Sequence, residues 1–185
     1  MFPRAQQPEV KFNDRAVINN GGTAFVDNGA APAPGAIVLG QTALGGGGNL
    51  EIRSGGNFNV NVGVSQVGED PLNGGILVCD AGLGTLTVLP GGTLTAAGPL
   101  ASGAAAGNTV TAGAAAGAGV ANLTVASVNL AGTTRIFPNG NLNSNDSLSF
   151  AATSNYIAEI SGSSSGTINA TGAATLAGSL TASFA

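Results

Sequence analysis

The chain has 185 residues, with no His or Trp, a single Cys, and five basic against nine acidic residues for a net charge of −4. Without His the commonest general base and metal ligand is missing, which excludes Ser-His-Asp triads and zinc sites of the usual kind. A lone Cys79 forms neither an internal disulfide nor a redox pair, and Arg135 is the sole basic residue after Arg53, so no nucleic-acid groove is expected.

The segment from Met1 to about Pro34 differs from the rest. It holds Arg4, Glu9, Lys11, Asp14, Arg15 and Asp27, and four of the eight prolines. Met1-Phe2-Pro3-Arg4 is followed by no apolar run, so it does not read as a signal peptide as it stands. Val10-Lys11-Phe12 and Ala16-Val17-Ile18 are expected as short strands. Ala30-Ala31-Pro32-Ala33-Pro34-Gly35 reads as a linker. The expected division is therefore an N-terminal extension over 1–34, serving as a cap or an inter-subunit strand, and a repeat domain over 35–185.

From Ala36 onward short runs alternate polar and apolar residues with period two, the mark of half-buried strands. In chain order they include Ala36–Leu39, Asn49–Arg53, Asn57–Val62, Gly75–Val78, Gly84–Val88, Gly92–Ala96, Asn108–Ala112 and Asn122–Val125. Thr134–Phe137, Ser147–Phe150, Asn155–Ile160, Gly166–Ala170 and Gly178–Thr181 follow. Gly, Asn, Pro and Ser punctuate the runs. No helix is expected, because the Ala-rich stretch 101–121 carries five glycines, and it is too broken for a membrane span. Positive mean hydropathy (+0.31) with sparse charge is the opposite of a disordered composition.

Strands at this spacing fit a sandwich, a barrel or a solenoid. The repeated Gly/Asn-Thr-Leu/Val-Thr core and the small apolar residues at inward positions favour a solenoid. The expected fold is all-β: a right-handed parallel β-solenoid (β-helix) of about seven coils, at ~20–25 residues per coil, with an N-terminal extension.

Two stretches carry a family resemblance. Ser147-Leu148-Ser149-Phe150, Tyr156-Ile157-Ala158-Glu159-Ile160 and the run from Ile168 to Leu180, with its Thr171-Gly172-Ala173-Ala174-Thr175-Leu176-Ala177-Gly178-Ser179-Leu180, resemble the final coils of bacterial autotransporter passenger β-helices. The run from Gly82 to Thr95 is similar to repeats of the same surface proteins and of exported PEP-CTERM-type proteins. Over residues 49–185 the resemblance implies an exported, extracellular or cell-surface β-helix. It implies no particular activity.

Candidate chemistry is sparse. Thr85/Thr87, Thr93/Thr95 and Thr109/Thr111 put two hydroxyls on one side of a strand. Stacked, they would form a flat hydroxyl face for glycan or ice, although Thr and Asn ladders also simply suit β-coils. Glu69 and Asp70 read as a turn before Pro71, and Asp80, Asp146 and Glu159 as single solvated loop acids. No catalytic, cofactor or metal site is expected, and Gly45–Gly48 lacks the Lys-Ser/Thr of a phosphate loop. Cys79 reads as a small buried hydrophobe. The sequons at Asn122, Asn145 and Asn169 are attributed to chance in an Asn-rich chain.

Exposed β-edges pair with other chains unless protected, and residues 174–185 carry neither charge nor Pro. Val10, Phe12, Val17 and Ile18 at one end, with Leu176, Leu180 and Phe184 at the other, are therefore the candidate assembly residues. The expected function is a non-enzymatic extracellular structural protein that polymerises with itself head to tail. The alternative is a surface-displayed module that binds glycan or ice through the threonine face.

Overall fold

A computed structural model describes residues 15–30, 33–41, 46–61, 74–79, 82–105, 107–162 and 164–184. Every regular element among them is a β-strand, and the strands stack in register as the coils of a parallel β-solenoid. Coil one holds β1 (Arg15–Ile18), β2 (Thr23–Val26) and β3 (Gly29–Ala30); coil two holds β4 (Ala36–Leu39), β5 (Gly48–Ile52) and β6 (Gly56–Val60). Coil three is β7 (Ile76–Val78), β8 (Gly84–Val88) and β9 (Thr93–Ala96); coil four is β10 (Leu100–Ser102), β11 (Thr109–Ala112) and β12 (Ala121–Val125). Coil five is β13 (Val128–Leu130), β14 (Thr133–Ile136) and β15 (Gly140–Ser144). Coil six holds β16 (Leu148–Phe150), β17 (Asn155–Ser161), β18 (Ser164–Ser165) and β19 (Thr167–Ala170), and coil seven β20 (Ala174–Leu176) and β21 (Ser179–Phe184). The first strand of each coil joins sheet A, the second sheet B and the third sheet C; β18 alone runs antiparallel, as a hairpin on β17.

The period-two pattern decides which residues face inward. In sheet B, Leu50, Leu86 and Val110 stand in one column, and Ile52, Val88, Ala112 and Ile136 in the next. In sheet C the equivalent column is Phe58, Leu94, Leu123, Leu142 and Ile168. In sheet A it is Ile37, Ile76, Leu100, Val128 and Leu148. These columns meet on the solenoid axis as one apolar core, in which Leu86, Leu94, Leu123, Leu130, Ile136 and Leu142 are fully buried. The ladders satisfy the backbone polar groups while small side chains fill a narrow interior, so aromatic residues are not needed for bulk.

The expected boundary at residue 34 differs from the structure. Residues 15–30 are the first coil: Ala16 lies beside Ile37, Ala24 beside Leu50, and Gly29 beside Gly56. Pro34 occupies a corner between sheets C and A, where a residue with no N–H costs no ladder bond; its carbonyl accepts from the Asn61 amide at 3.1 Å. Arg53 ties coil two to coil one from outside, with its guanidinium 3.7 Å over the Phe25 ring, 2.7 Å from Glu51 and 3.6 Å from Asp27. Residues 1–14, with the expected strand at Val10–Phe12, lie outside the described residues.

Corners are held by side chains where the ladders stop. Asn108 is fully buried between sheets A and B, its Oδ1 accepting from the Gly84 amide at 3.0 Å and its Nδ2 donating to the Gly103 carbonyl at 3.1 Å. The Ser102 hydroxyl accepts from the Ala131 and Gly132 amides one coil on. Cys79 is buried, as expected, at a left-handed corner (φ 75°), and its thiol donates to the Gly82 carbonyl. The Thr134 hydroxyl, between Val110 and Tyr156 in the inward column, is buried without a hydrogen-bond partner among the described residues. Replacing an unsatisfied buried hydroxyl by a methyl removes a desolvation cost of ~1 kcal/mol. Thr134→Val is therefore expected to raise the urea midpoint of unfolding, and a lowered midpoint would show that the hydroxyl is bonded in solution.

Candidate functional site

The six candidate threonines divide between two faces. Thr85 lies beside Thr109 and Thr87 beside Thr111 on the outside of sheet B. Thr93 and Thr95 belong to sheet C, around the corner made by Leu89–Gly92. In sheet B the Thr87–Thr111 column continues through Glu51 on one side and Arg135 and Ile157 on the other, which breaks it as a hydroxyl face.

Sheet C carries the more regular outer surface. Its two outward columns are Asn57-Thr93-Asn122-Asn141-Thr167 and Asn59-Thr95-Thr124-Asn143-Asn169. Side chains bond along the columns: Asn141 Nδ2 donates to Asn122 Oδ1 at 3.2 Å, Thr167 Oγ1 to Asn141 Oδ1 at 2.6 Å, and Asn169 Nδ2 to Asn143 Oδ1 at 2.9 Å. The unit Asn/Thr, apolar, Asn/Thr recurs in five successive strands of sheet C, and the same spelling at Thr85–Thr87 and Thr109–Thr111 belongs to sheet B. The sequon residues Asn122 and Asn169 are members of these columns, and Asn145 is exposed beyond Ser144.

The C-terminal assembly residues fall together. Leu176 lies over Phe150 and Leu180 over Tyr156, in inward columns, and Phe184 lies over Ile160, past the last residue of β14. No described strand covers them, and they are 72, 71 and 79 % exposed. Beneath them the Phe150 and Tyr156 rings stack at 5.7 Å, and burial pushes the Tyr156 phenol up from its ordinary value. At the other end, in the terminal strand β1, Ile18 points inward beside Leu39 and Val17 faces outward in the column of Val38 and Leu77.

The acids also differ from expectation. Asp146 is exposed, but Glu159 lies within β17 and is only 6 % exposed. Its carboxylate faces the Arg135 guanidinium, 3.4 Å from Nε. Glu159 opens into a cavity of about 260 Å³ at the corner between sheets B and C. Ala114 and Ala115 of coil four, Phe137, Pro138 and Asn139 of coil five, and Ser161 and Ser164 of the β17–β18 hairpin form its walls. Asn139 is fixed there, since its Oδ1 accepts from the Ala114 amide at 3.1 Å. Elsewhere on sheet B, Arg53 is held above the ordinary guanidinium value, first by its hydrogen bond to Glu51. Glu69, Asp70 and Asp80 lie outside the described residues.

Among the described residues no group of three or more Cys, Asp or Glu side chains is placed to hold a metal ion, and no helix is long and apolar enough to cross a membrane. No protein-family model, curated protein or solved structure matches the chain.

Proposed function

We propose that this chain is an extracellular structural protein whose solenoids join end to end, the first coil of one copy continuing the ladders of the last coil of another. The observation that carries this reading is the bare apolar end. Leu176 and Leu180 continue the columns of Phe150 and Tyr156, and together with Phe184 they lie 71–79 % exposed. Each large apolar side chain left in water forgoes ~1.5–3 kcal/mol of burial. The outer edges of β20 and β21 pair with no described strand, and neither strand carries a charge or a proline to discourage pairing. A second copy offers the matching surface: β1 and β2 are the opposite ends of the same two sheets, with Ala16, Ile18, Ala24 and Val26 facing inward. The resemblance to autotransporter passengers supports an extracellular location.

The Asn/Thr surface of sheet C also favours a structural role. In coils four to six, five of its side chains bond to one another from coil to coil, as in the side-chain ladders of stacked β-fibres.

Negative-stain electron microscopy across a concentration series tests the proposal. Wild-type protein is expected to form filaments that lengthen with concentration. The double substitution Leu180→Asp/Phe184→Asp is expected to leave isolated rods with an unchanged far-ultraviolet circular dichroism spectrum. Rods of one length at every wild-type concentration would overturn end-to-end assembly.

A further inference from the structure

We propose that the corner cavity of coils four to six is a binding pocket for one neutral sugar unit, with Glu159 as the acceptor of its hydroxyls. The pocket does not depend on end-to-end assembly, and either proposal survives failure of the other.

An ionised carboxylate accepts up to about four hydrogen bonds, and one removed from water needs them. Glu159 is 6 % exposed, and its protein partner is Arg135 at 3.4 Å, longer than a good charge-assisted hydrogen bond. The rest of its accepting capacity is turned to the cavity. A group with adjacent donors is therefore what the pocket lacks.

Charge narrows the class. Arg135 already pairs with Glu159, so an ammonium ligand would have to compete with the guanidinium for the carboxylate, and an anionic ligand would be repelled by that carboxylate. A neutral polyol meets neither penalty. The remaining walls suit a pyranose ring: Phe137 and Pro138 offer apolar surface to its C–H face, and Ala114 leaves room beside them. The bond from the Ala114 amide occupies Asn139 Oδ1 and leaves the Nδ2 hydrogens to donate to a second hydroxyl. A volume of about 260 Å³ lies just below the ~300–1,000 Å³ of drug-sized pockets, which fits a single ring. Cleavage of a glycosidic bond takes two carboxyl groups. The described walls supply one, so the pocket is assigned to binding.

The fold shows why the cavity exists. Elsewhere the chain turns from sheet B to sheet C through a tight corner, as at Arg53–Gly56 and Leu89–Gly92. In coil four that corner is the longer loop 113–120, and in coil six it is replaced by the β17–β18 hairpin. Between these two enlarged corners the short turn Phe137–Gly140 forms the floor.

Isothermal titration of the whole protein with methyl glycosides of glucose, galactose, mannose and N-acetylglucosamine tests the assignment. Glucosamine and glucuronate serve as charged counterparts. At least one neutral glycoside is expected to bind saturably, more tightly than either charged sugar. Glu159→Gln should weaken it roughly tenfold or more through loss of the charged acceptor. Ala115→Trp, at an exposed wall position remote from the core columns, should abolish binding with the melting temperature unchanged. No saturable binding by any neutral glycoside, or binding indifferent to both substitutions, would overturn the proposal.

Discussion

Leu86→Asp is expected to destroy the native unfolding transition, whereas Thr85→Asp, one residue away, is expected to leave it nearly intact. Leu86 is fully buried in β8, between Leu50 of the coil before and Val110 of the coil after. Removing a buried leucine side chain costs ~2–5 kcal/mol through lost contacts and the cavity left behind. A carboxylate placed there has no partner among the surrounding aliphatic groups, so it adds several kcal/mol or stays protonated at a comparable cost. The sum rivals the ~5–15 kcal/mol that holds a typical domain together. Position along the stack worsens the effect. Coils one and two, severed from the core behind them, number fewer than the roughly three repeats a solenoid needs. Thr85 points outward between Asn49 and Thr109, where a carboxylate stays hydrated. Thermal melts followed by circular dichroism distinguish the two. A Leu86→Asp protein that melts like the wild type would mean the register is displaced by one residue, because such a slip exchanges every inward and outward side chain.

That sensitivity to register is also why the fold was legible in the sequence. Gly48-Asn49-Leu50-Glu51-Ile52, Gly84-Thr85-Leu86-Thr87-Val88 and Gly92-Thr93-Leu94-Thr95-Ala96 share one grammar that implies stacked coils, and residues 35–185 hold six of them where about seven were expected. The same grammar concealed which sheet each unit joins. Thr85 and Thr93 sit in near-identical units, yet the corner at Leu89–Gly92 places them on different faces. The first coil was hidden for another reason. Charges and prolines made residues 1–34 look unlike the repeats, but Arg15 and Asp27 fall at strand ends and Pro34 at a corner, where the ladder makes no demand on them. The apolar, uncharged C-terminal run announced its exposed column because edge protection is a matter of composition. Glu159 did not announce itself. Alternation along Asn155–Ser161 puts it on the outer side of its strand, which normally means solvated. It is paired with Arg135, and it lines a cavity with Phe137 and Ala114, which lie 22 and 45 residues earlier and share that cavity only once the coils stack.

Gly140→Ala is expected to cost about 3 kcal/mol of stability. Gly140 opens β15 directly after the turn Phe137–Asn139, which its own amide closes by donating to the Phe137 carbonyl at 2.8 Å. A methyl on Gly140 would be driven into the Ala112 carbonyl oxygen, with the Ala112 carbonyl carbon 2.6 Å away. That oxygen is already committed: it accepts from the Phe137 amide at 2.9 Å and so holds coil five on coil four. The methyl and this rung compete for one place, and neither is a flexible side-chain end that can swing aside. Ala121 supplies the internal comparison. It stands beside Gly140 in the register of sheet C and carries a methyl while fully buried, but the chain reaches it through the longer loop 113–120. Ala121→Gly should therefore lose only ~0.5–1 kcal/mol, the usual cost of a strand glycine. Urea midpoints of the two variants measure the difference. Equal losses would show that the Phe137–Gly140 corner relaxes to admit a side chain, and would leave the glycine at the head of β15 without a steric reason.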